Sequence, residues 1–201
     1  MALYRVQPTR VDIEIAHAVS EHTNPKAEAV AQALTYGADE HVLCALATGW
    51  WLYCRTKDSR TRSDSDHILL VTISATIIPH LLKTIFDQER PDRVMVRGHL
   101  HGVPVSGKRL DAFPSGHAVH VGALASAATV LPPAKRNLVW AGGVGLVLTR
   151  VVLLAHWMSD VVTGLAIGAL TERLLRFWTG YGAGRQTQQH RFRLPQQAQF
   201  K

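Results

Sequence analysis

Two long stretches without charged side chains constrain the fold of this 201-residue chain most strongly. Residues 112–134 contain no Asp, Glu, Lys or Arg, and residues 137–159 contain only Arg150. Each approaches the roughly 20 apolar residues that an α-helix needs to cross a bilayer. Shorter charge-free runs cover residues 41–54, 67–82 and 161–171. The pattern predicts an all-α, integral-membrane bundle of about five transmembrane helices.

The last two apolar runs require a break between them. A single helix over residues 137–178 would be about 63 Å long, roughly twice the hydrocarbon thickness of a bilayer. The chain therefore has to turn back midway, and the apolar run ends around Ala155 to Trp157. This places His156 at the membrane surface, where the fifth span begins.

The N-terminal part has a different character. Residues 8–36 mix apolar and charged side chains and break near Asn24-Pro25, which indicates an interfacial amphipathic helix and a connector. We expect three regions: an amphipathic N-terminal segment (1–37), a membrane domain (38–180) and a basic, disordered tail (181–201). Buried helices of a soluble all-helical enzyme remain the alternative for the same pattern.

Basic residues predict the orientation of the bundle. They concentrate in the links at 55–66 and 132–137 and in the tail after residue 178. By the positive-inside tendency these links are cytoplasmic, and the opposite ends of the spans face the periplasm or a lumen. Nucleic acid is not an expected partner, because the basic residues are divided among several separate segments and form no recognition motif.

The first of three polar segments runs from Lys83 to Pro91. Lys83 and Arg90 are seven residues apart, so a continuous helix would present them on nearly the same face. Pro91 would end that helix directly after Arg90. A fixed guanidinium there suits bidentate contacts with phosphate oxygens. The alternative is that both cations only extend toward water at a membrane edge.

The second segment, Pro114 to His117, precedes an apolar run. A helix that starts there points backbone N–H groups and its positive dipole end at an anion. The Ser115 hydroxyl and the Gly116 amide are candidate donors, and the His117 imidazole can protonate a leaving alkoxide. The alternative is an ordinary helix start with Ser115 as its cap.

The third segment runs from Arg150 to Asp160. His156 and Asp160 are four residues apart, so on one helix the carboxylate can hold one ring nitrogen protonated while the other attacks phosphorus. Arg150 is an expensive charge inside an apolar run, and a bound phosphate would supply its counter-charge.

The three segments resemble the signature of the type 2 phosphatidic acid phosphatase superfamily. That signature reads Lys, six residues, Arg-Pro; then Pro-Ser-Gly-His; then Ser-Arg, five residues, His, three residues, Asp. This chain matches it with intact spacing, except that Thr149 replaces the Ser. The resemblance implies a phosphatase without metal or cofactor, in which His156 forms a phosphohistidine, Asp160 orients it and His117 protonates the leaving group. It also implies a phosphate-binding set of Lys83, Arg90, Ser115, Gly116 and Arg150.

The expected function is hydrolysis of the terminal phosphate of a lipid phosphate or polyprenyl diphosphate. The expected location is a bacterial inner membrane, with the lipid bilayer as surroundings and the active site facing the periplasm. Family members commonly have six spans, one more than the sequence suggests here. His99 and His101, between the motifs, are candidates to reach substrate. Two alternatives remain: a protein that binds or transports a phosphorylated lipid without hydrolysis, and a vanadate-dependent haloperoxidase.

Overall fold

The computed structural model describes residues 3–95 and 108–183. Within these ranges the fold is mostly helical, with two single 3-10 turns at Tyr36–Ala38 and Ala128–Val130. The helices are α1 (Arg10–His22), α2 (Pro25–Thr35), α3 (Glu40–Cys54), α4 (Ser59–Ile85), α5 (Pro91–Val94), α6 (Gly116–Ala127), α7 (Pro133–Val152) and α8 (Met158–Thr179).

Five of these helices coincide with the five predicted spans: α3, α4, α6, α7 and α8. The predicted break in residues 137–178 is confirmed, because α7 ends at Val152 and α8 begins at Met158. The Ser115 amide donates to the Asp160 carbonyl, and the Ser126 hydroxyl donates to Glu172. Helices α6 and α8 therefore run in the same direction, with both N-termini at one end of the bundle. We call this the motif end and the opposite one the far end. The first, second and third motifs are the polar segments Lys83 to Pro91, Pro114 to His117 and Arg150 to Asp160.

By length and composition, α4 is the one helix among the described residues that qualifies to cross a membrane. The run at 112–134 forms a helix of only 12 residues, because Pro114-Ser115 precedes α6 and Pro132-Pro133 follows its last 3-10 turn. The number of spans therefore stays a prediction.

A pair of two-residue strands accompanies the helices: β1 (Tyr4–Arg5) pairs in parallel with β2 (Phe86–Asp87). One expectation about the elements is wrong, because the basic link at 55–66 is mostly helix. Helix α4 starts at Ser59, where Asp58 caps it by accepting a hydrogen bond from the Thr61 amide. The Asp58 cap stabilises a start of α4 before its apolar part.

The N-terminal segment forms two helices that meet at Asn24, which caps α2, and Pro25 occupies the first turn of α2. The apolar face of α1 packs on the turn between α7 and α8. In that cluster Ala16 is buried with Leu154 and Trp157, next to Ala112. The segment thus supports the polypeptide that carries His156.

Glycines let α6 and α8 approach closely. A side chain at Gly168 would overlap the Val119 carbonyl oxygen, and one at Gly122 would overlap the Leu165 carbonyl oxygen. At Gly164 a Cβ atom would lie 2.7 Å from the Ser115 carbonyl oxygen. Small residues at these positions are typical of tightly packed helices in membranes. The close contact holds Ser115 beside the start of α8.

Candidate active site

An acidic residue joins the two cations of the first motif. Asp111 Oδ1 accepts hydrogen bonds from Arg90 Nε at 2.9 Å and Arg90 Nη2 at 2.8 Å. Asp111 Oδ2 lies 3.9 Å from Lys83 Nζ. The Arg90 side chain is 4% exposed and also donates from Nη1 to the Ala155 carbonyl at 3.0 Å. Arg90 is therefore fixed between the first motif and the turn before His156.

The expectation that one helix face carries Lys83 and Arg90 is wrong. Helix α4 ends at Ile85, and Arg90 is the N-terminal cap of the short helix α5. Pro91 starts α5 instead of ending α4, since proline fits the first helical position, where no backbone N–H is needed. Asp111 and the fold bring the two cations together.

The second motif forms the N-terminus of α6, as expected. Ser115 is the helix cap, yet its side chain makes no capping hydrogen bond. Its hydroxyl is buried and has no hydrogen-bond partner among the described residues. The alternative of a simple serine cap therefore does not fit. His117 is half-buried in the first turn and lies within electrostatic range of Arg150, Asp39 and Lys83.

Arg150 lies in the last turn of α7 and is 9% exposed. Its Nη1 donates to the Thr35 hydroxyl of α2 at 3.3 Å. Its Nε is buried without a hydrogen-bond partner in the described part of the chain. A buried guanidinium with an unused donor is costly unless an anion completes its hydrogen bonding.

His156 lies in the turn before α8 and is 3% exposed. Its Nδ1 is 2.6 Å from the Ala112 carbonyl oxygen, which can only accept a hydrogen bond. Nδ1 therefore carries the proton. Burial and then the charges of Arg90, Arg150 and Lys83 lower the pKa of His156 well below its usual 6.5. The imidazole is neutral, so Nε2 keeps a free lone pair.

Asp160 is placed differently from the expectation. His156 precedes α8, so the two residues do not share a helix face, and Asp160 Oδ2 lies 3.8 Å from His156 Nδ1. The proton on Nδ1 goes to Ala112 instead. Asp160 Oδ2 accepts from the Trp157 amide at 2.8 Å, and Oδ1 is buried without a hydrogen-bond partner in residues 3–95 and 108–183. Asp160 thus fixes the turn directly after His156.

The three motifs meet at one end of the bundle. Hydrogen bonds connect Arg90 with Ala155, His156 with Ala112, and Ser115 with Asp160. This end carries the neutral His156 imidazole and the cations Lys83, Arg90 and Arg150. Two buried donors there, Ser115 Oγ and Arg150 Nε, have no hydrogen-bond partner among the described residues. Such an arrangement can bind a tetrahedral oxyanion and attack its central atom. No group of three or more His, Cys, Asp or Glu in the described ranges has metal-binding geometry.

Sequence reasoning missed several partners of the motifs. Asp111, the Ala112 carbonyl and Thr35 contact motif residues, but each lies far away in sequence or acts through the backbone. Spacing within a helix does not reveal such contacts. Two other buried histidines have structural partners: His120 contacts Thr76 and Gly116, and His67 contacts Glu172. The candidates His99 and His101 lie outside the described residues.

Comparison with known families agrees with this geometry. The family model for the PAP2 superfamily matches residues 67–182, more than half of the chain. The chain belongs to the PAP2 superfamily. The matched region includes Lys83, Arg90, Arg150 and Asp160 and ends near the C-terminus of α8. Helices α1 to α3 lie outside it.

Two curated relatives of this PAP2 chain are lipid A 1-phosphatases. The protein from Rhizobium johnstonii is 36% identical over 104 residues, which are 51% of this chain and 43% of that protein. The one from Rhizobium etli is 35% identical over 103 residues, 51% of this chain and 44% of that protein. The match thus covers less than half of the length of either relative.

Two crystal structures share the fold of the PAP2 chain. LpxE from Aquifex aeolicus has a TM-score of 0.63 at 15% identity, covering 87% of this chain and 98% of that one. A transmembrane PAP2 type phosphatidylglycerolphosphate phosphatase from Bacillus subtilis has a TM-score of 0.61 at 20% identity, covering 85% of each chain. At these identities the likeness shows the fold alone.

Proposed function

We propose that this protein is a membrane phosphatase that removes a terminal phosphate from a lipid phosphate, with His156 as the nucleophile. The observation that carries the proposal is the state of His156. Its Nδ1 proton is held by the Ala112 carbonyl at 2.6 Å, so the lone pair of Nε2 is free inside a cluster of cations. A histidine with a purely structural role would not require a free Nε2 lone pair beside three cations.

The reaction has two steps. His156 Nε2 attacks the phosphorus atom and forms a P–N bond while the P–O bond to the lipid breaks. His117 gives a proton to the leaving oxygen, which departs as an alcohol or as a phosphate group. Water then attacks the phosphorus atom of the phosphohistidine while His117 takes up a proton from the water; the P–N bond breaks, inorganic phosphate leaves, and neutral His156 and protonated His117 are restored.

Positive charge and backbone donors stabilise the transition state. Lys83, Arg90 and Arg150 supply the cations, while the Ser115 hydroxyl and the Gly116 amide supply neutral donors. These groups take the role that metal ions have in other phosphatases, so we propose that the reaction needs no metal. Asp160 contributes by accepting a hydrogen bond from the Trp157 amide, which fixes the turn directly after His156.

The surface of the bundle supports location in a membrane. Large apolar side chains are exposed along α3, α4 and α8: Leu46, Trp50, Leu70, Ile73, Ile77, Leu81, Val162, Leu170, Leu174, Phe177 and Trp178. In water they would form an aggregation-prone surface, whereas lipid would cover them. Arg55, Lys57, Arg60, Lys135 and Arg136 lie at the far end. This distribution favours a cytoplasmic far end and a motif end at the periplasmic face of a bacterial inner membrane.

The relatives support a lipid phosphate as the substrate. Two are named lipid A 1-phosphatases, and a structural neighbour is named a phosphatidylglycerolphosphate phosphatase. All three names describe removal of phosphate from a membrane lipid. We therefore propose this substrate class, which includes polyprenyl diphosphates.

A substrate panel tests the proposal. Purified protein in detergent and EDTA is incubated separately with lipid A, phosphatidylglycerol phosphate, phosphatidate and a polyprenyl diphosphate. Phosphate release is measured for each lipid. We expect release from at least one lipid and a loss of about a thousandfold or more in His156→Ala. Undiminished phosphate release by His156→Ala would exclude His156 as the nucleophile. Tight lipid binding without turnover would favour a binding protein, and loss of activity in EDTA would contradict the metal-independent reaction.

A further inference from the structure

A buried carboxylate in the N-terminal segment contacts the start of α8. Asp12, in the first turn of α1, is 2% exposed. Its Oδ1 accepts from the Ser159 amide at 2.8 Å, and its Oδ2 accepts from the Ser159 hydroxyl at 2.8 Å. Oδ2 also accepts from the Thr9 amide at 2.9 Å and from the Thr9 hydroxyl at 2.8 Å. Four donors therefore fix this carboxylate.

The contact reaches the reacting histidine within a few residues. Ser159 is the second residue of α8, next to Asp160 and three residues after His156. Its amide is one of the N-terminal helix donors that no residue of the same helix can satisfy. Asp12 satisfies it from another part of the chain and adds a negative charge at the positive end of α8.

Apolar contacts near Asp12 also connect α1 with the turn that carries His156. Ala16, one turn after Asp12, is buried against Leu154 and Trp157, which flank the turn that carries His156. Leu154 has a positive φ of 51°, which non-glycine residues rarely adopt. The turn therefore needs support from outside its own sequence, and α1 provides both apolar and polar contacts to it.

The charged form of Asp12 matters for this contact. Burial alone would raise the pKa of Asp12, but the hydrogen bonds from Ser159 and Thr9 outweigh it and lower the pKa below 3.8. Asp12 is thus an ionised carboxylate near neutral pH. An asparagine has the same shape but only one acceptor oxygen, so it cannot satisfy the donors on both sides.

We propose that Asp12 is a positioning residue of the active site: through Ser159 it fixes the first turn of α8 and thereby aims His156 Nε2 at the phosphorus atom. Helix α1 lies outside the residues that the family model matches, and on this proposal it contributes to the active site. The inference rests on the proposed function for its meaning, since it names what orients the nucleophile.

Three variants separate positioning from mere stability. Asp12→Asn keeps the volume and removes the charge. Ser159→Ala removes one of the two bonds to α8 and is the milder change. Asp58→Asn is the matched control, because it makes the same substitution at a carboxylate that caps a helix, α4, at the far end of the bundle. All are assayed as full-length protein at a temperature where circular dichroism shows them folded.

The kinetic readout is the split between kcat and KM. We expect Asp12→Asn to lower kcat about tenfold to hundredfold with KM changed less than about twofold, because misaligned attack affects the transition state and not phosphate binding. Ser159→Ala should show a smaller loss of kcat. Asp58→Asn should retain wild-type kcat. Folded Asp12→Asn with unchanged kcat would overturn the proposal, and so would an equal loss in Asp58→Asn.

Vanadate binding tests the same point without turnover. Vanadate forms a bond to a well-placed imidazole nitrogen, whereas inorganic phosphate binds through the cations and backbone donors alone. Calorimetry should show weaker vanadate binding in Asp12→Asn by about the factor seen in kcat, with phosphate binding unchanged. Equal vanadate affinity in wild type and Asp12→Asn would overturn the positioning role. If the wild type lacks phosphatase activity, the proposed function fails, while this measurement still decides the role of Asp12.

Discussion

At the scale of single residues, the protonation of His156 is the decisive property. Its hydrogen bond to the Ala112 carbonyl fixes the proton on Nδ1, and burial with nearby cations keeps the ring neutral. An exposed histidine would be half protonated near pH 6.5 and would lose its nucleophilic lone pair. In this site the lone pair is preserved in mild acid.

This state makes stability depend on pH. The folded-state pKa of His156 lies below that of the unfolded chain, so below about pH 6.5 the unfolded state takes up a proton that the folded state does not. Each pH unit below that value then costs up to about 1.4 kcal/mol. We predict that the stability advantage of wild type over His156→Gln shrinks from pH 7.5 to pH 5. Thermal unfolding in detergent measures it, and a constant or growing advantage would contradict the neutral imidazole.

Sequence spacing predicted the residues of the candidate site but not all of their partners. The pairing of His156 with Asp160 followed from a four-residue interval, yet His156 precedes α8 and bonds to a backbone carbonyl. Asp111 lies 21 residues after Arg90, and Asp12 lies 147 residues before Ser159. Intervals of three, four or seven residues predict contacts only inside one helix.

At the scale of elements, the close approach of α6 and α8 sets the distance between the second and third motifs. Gly168 faces the Val119 carbonyl and the Ala123 amide across this contact. A methyl group there would force the helix backbones apart and separate Ser115 from Asp160. Gly142 in α7, in contrast, has no atom within 4 Å of an added Cβ.

We predict opposite effects for two glycine substitutions. Gly168→Ala should destabilise the protein by about 2 kcal/mol or more and lower activity, because the neighbouring backbone cannot move aside cheaply. Gly142→Ala should leave activity unchanged and be neutral or stabilising, by up to about 1 kcal/mol. Thermal unfolding and kcat of both variants decide the matter. Equal stability of the two would show that α6 and α8 are less tightly packed.

A buried polar cluster joins α4, α6 and α8 at the far end. Glu172 is fully buried and accepts from the Ser126 hydroxyl at 2.5 Å and from Arg176 Nε at 2.8 Å, and it lies 3.2 Å from His67 Nε2. Arg176 also donates to the Ser126 carbonyl. The cluster satisfies polar groups that would otherwise be unpaired among apolar helices.

We expect this cluster to contribute to stability and not to catalysis. We predict that Glu172→Gln lowers the free energy of unfolding by about 3 kcal/mol, because Arg176 loses its buried counter-charge and one of the two acceptor oxygens becomes an NH2 donor. Its kcat should stay near wild type, since the cluster lies at the end opposite the motifs. Arg173→Ala is the control: its Nε is 4.0 Å from Glu172 and its side chain is 57% exposed, so its loss should cost under about 1 kcal/mol. A kcat loss in folded Glu172→Gln would contradict the separation.

At the scale of the whole molecule, charge and apolarity are arranged along one axis. The motif end gathers the cations around His156, the middle of the bundle exposes apolar side chains, and the far end carries basic links. The charge-free runs and the basic links predicted this arrangement, because both follow from the cost of placing charge in lipid. The packing of α1 against the His156 turn was not predictable, because an amphipathic face does not say which surface covers it.

The most direct test of the central claim is to trap phosphate on the protein. Protein incubated briefly with a ³²P-labelled lipid phosphate and quenched in alkali, where phosphohistidine survives, is digested and sequenced by mass spectrometry. We predict label on His156 alone, with Asp12→Asn forming it more slowly and His156→Ala forming none. Turnover without any trapped label, or label on another residue, would contradict the assignment of His156 as the nucleophile.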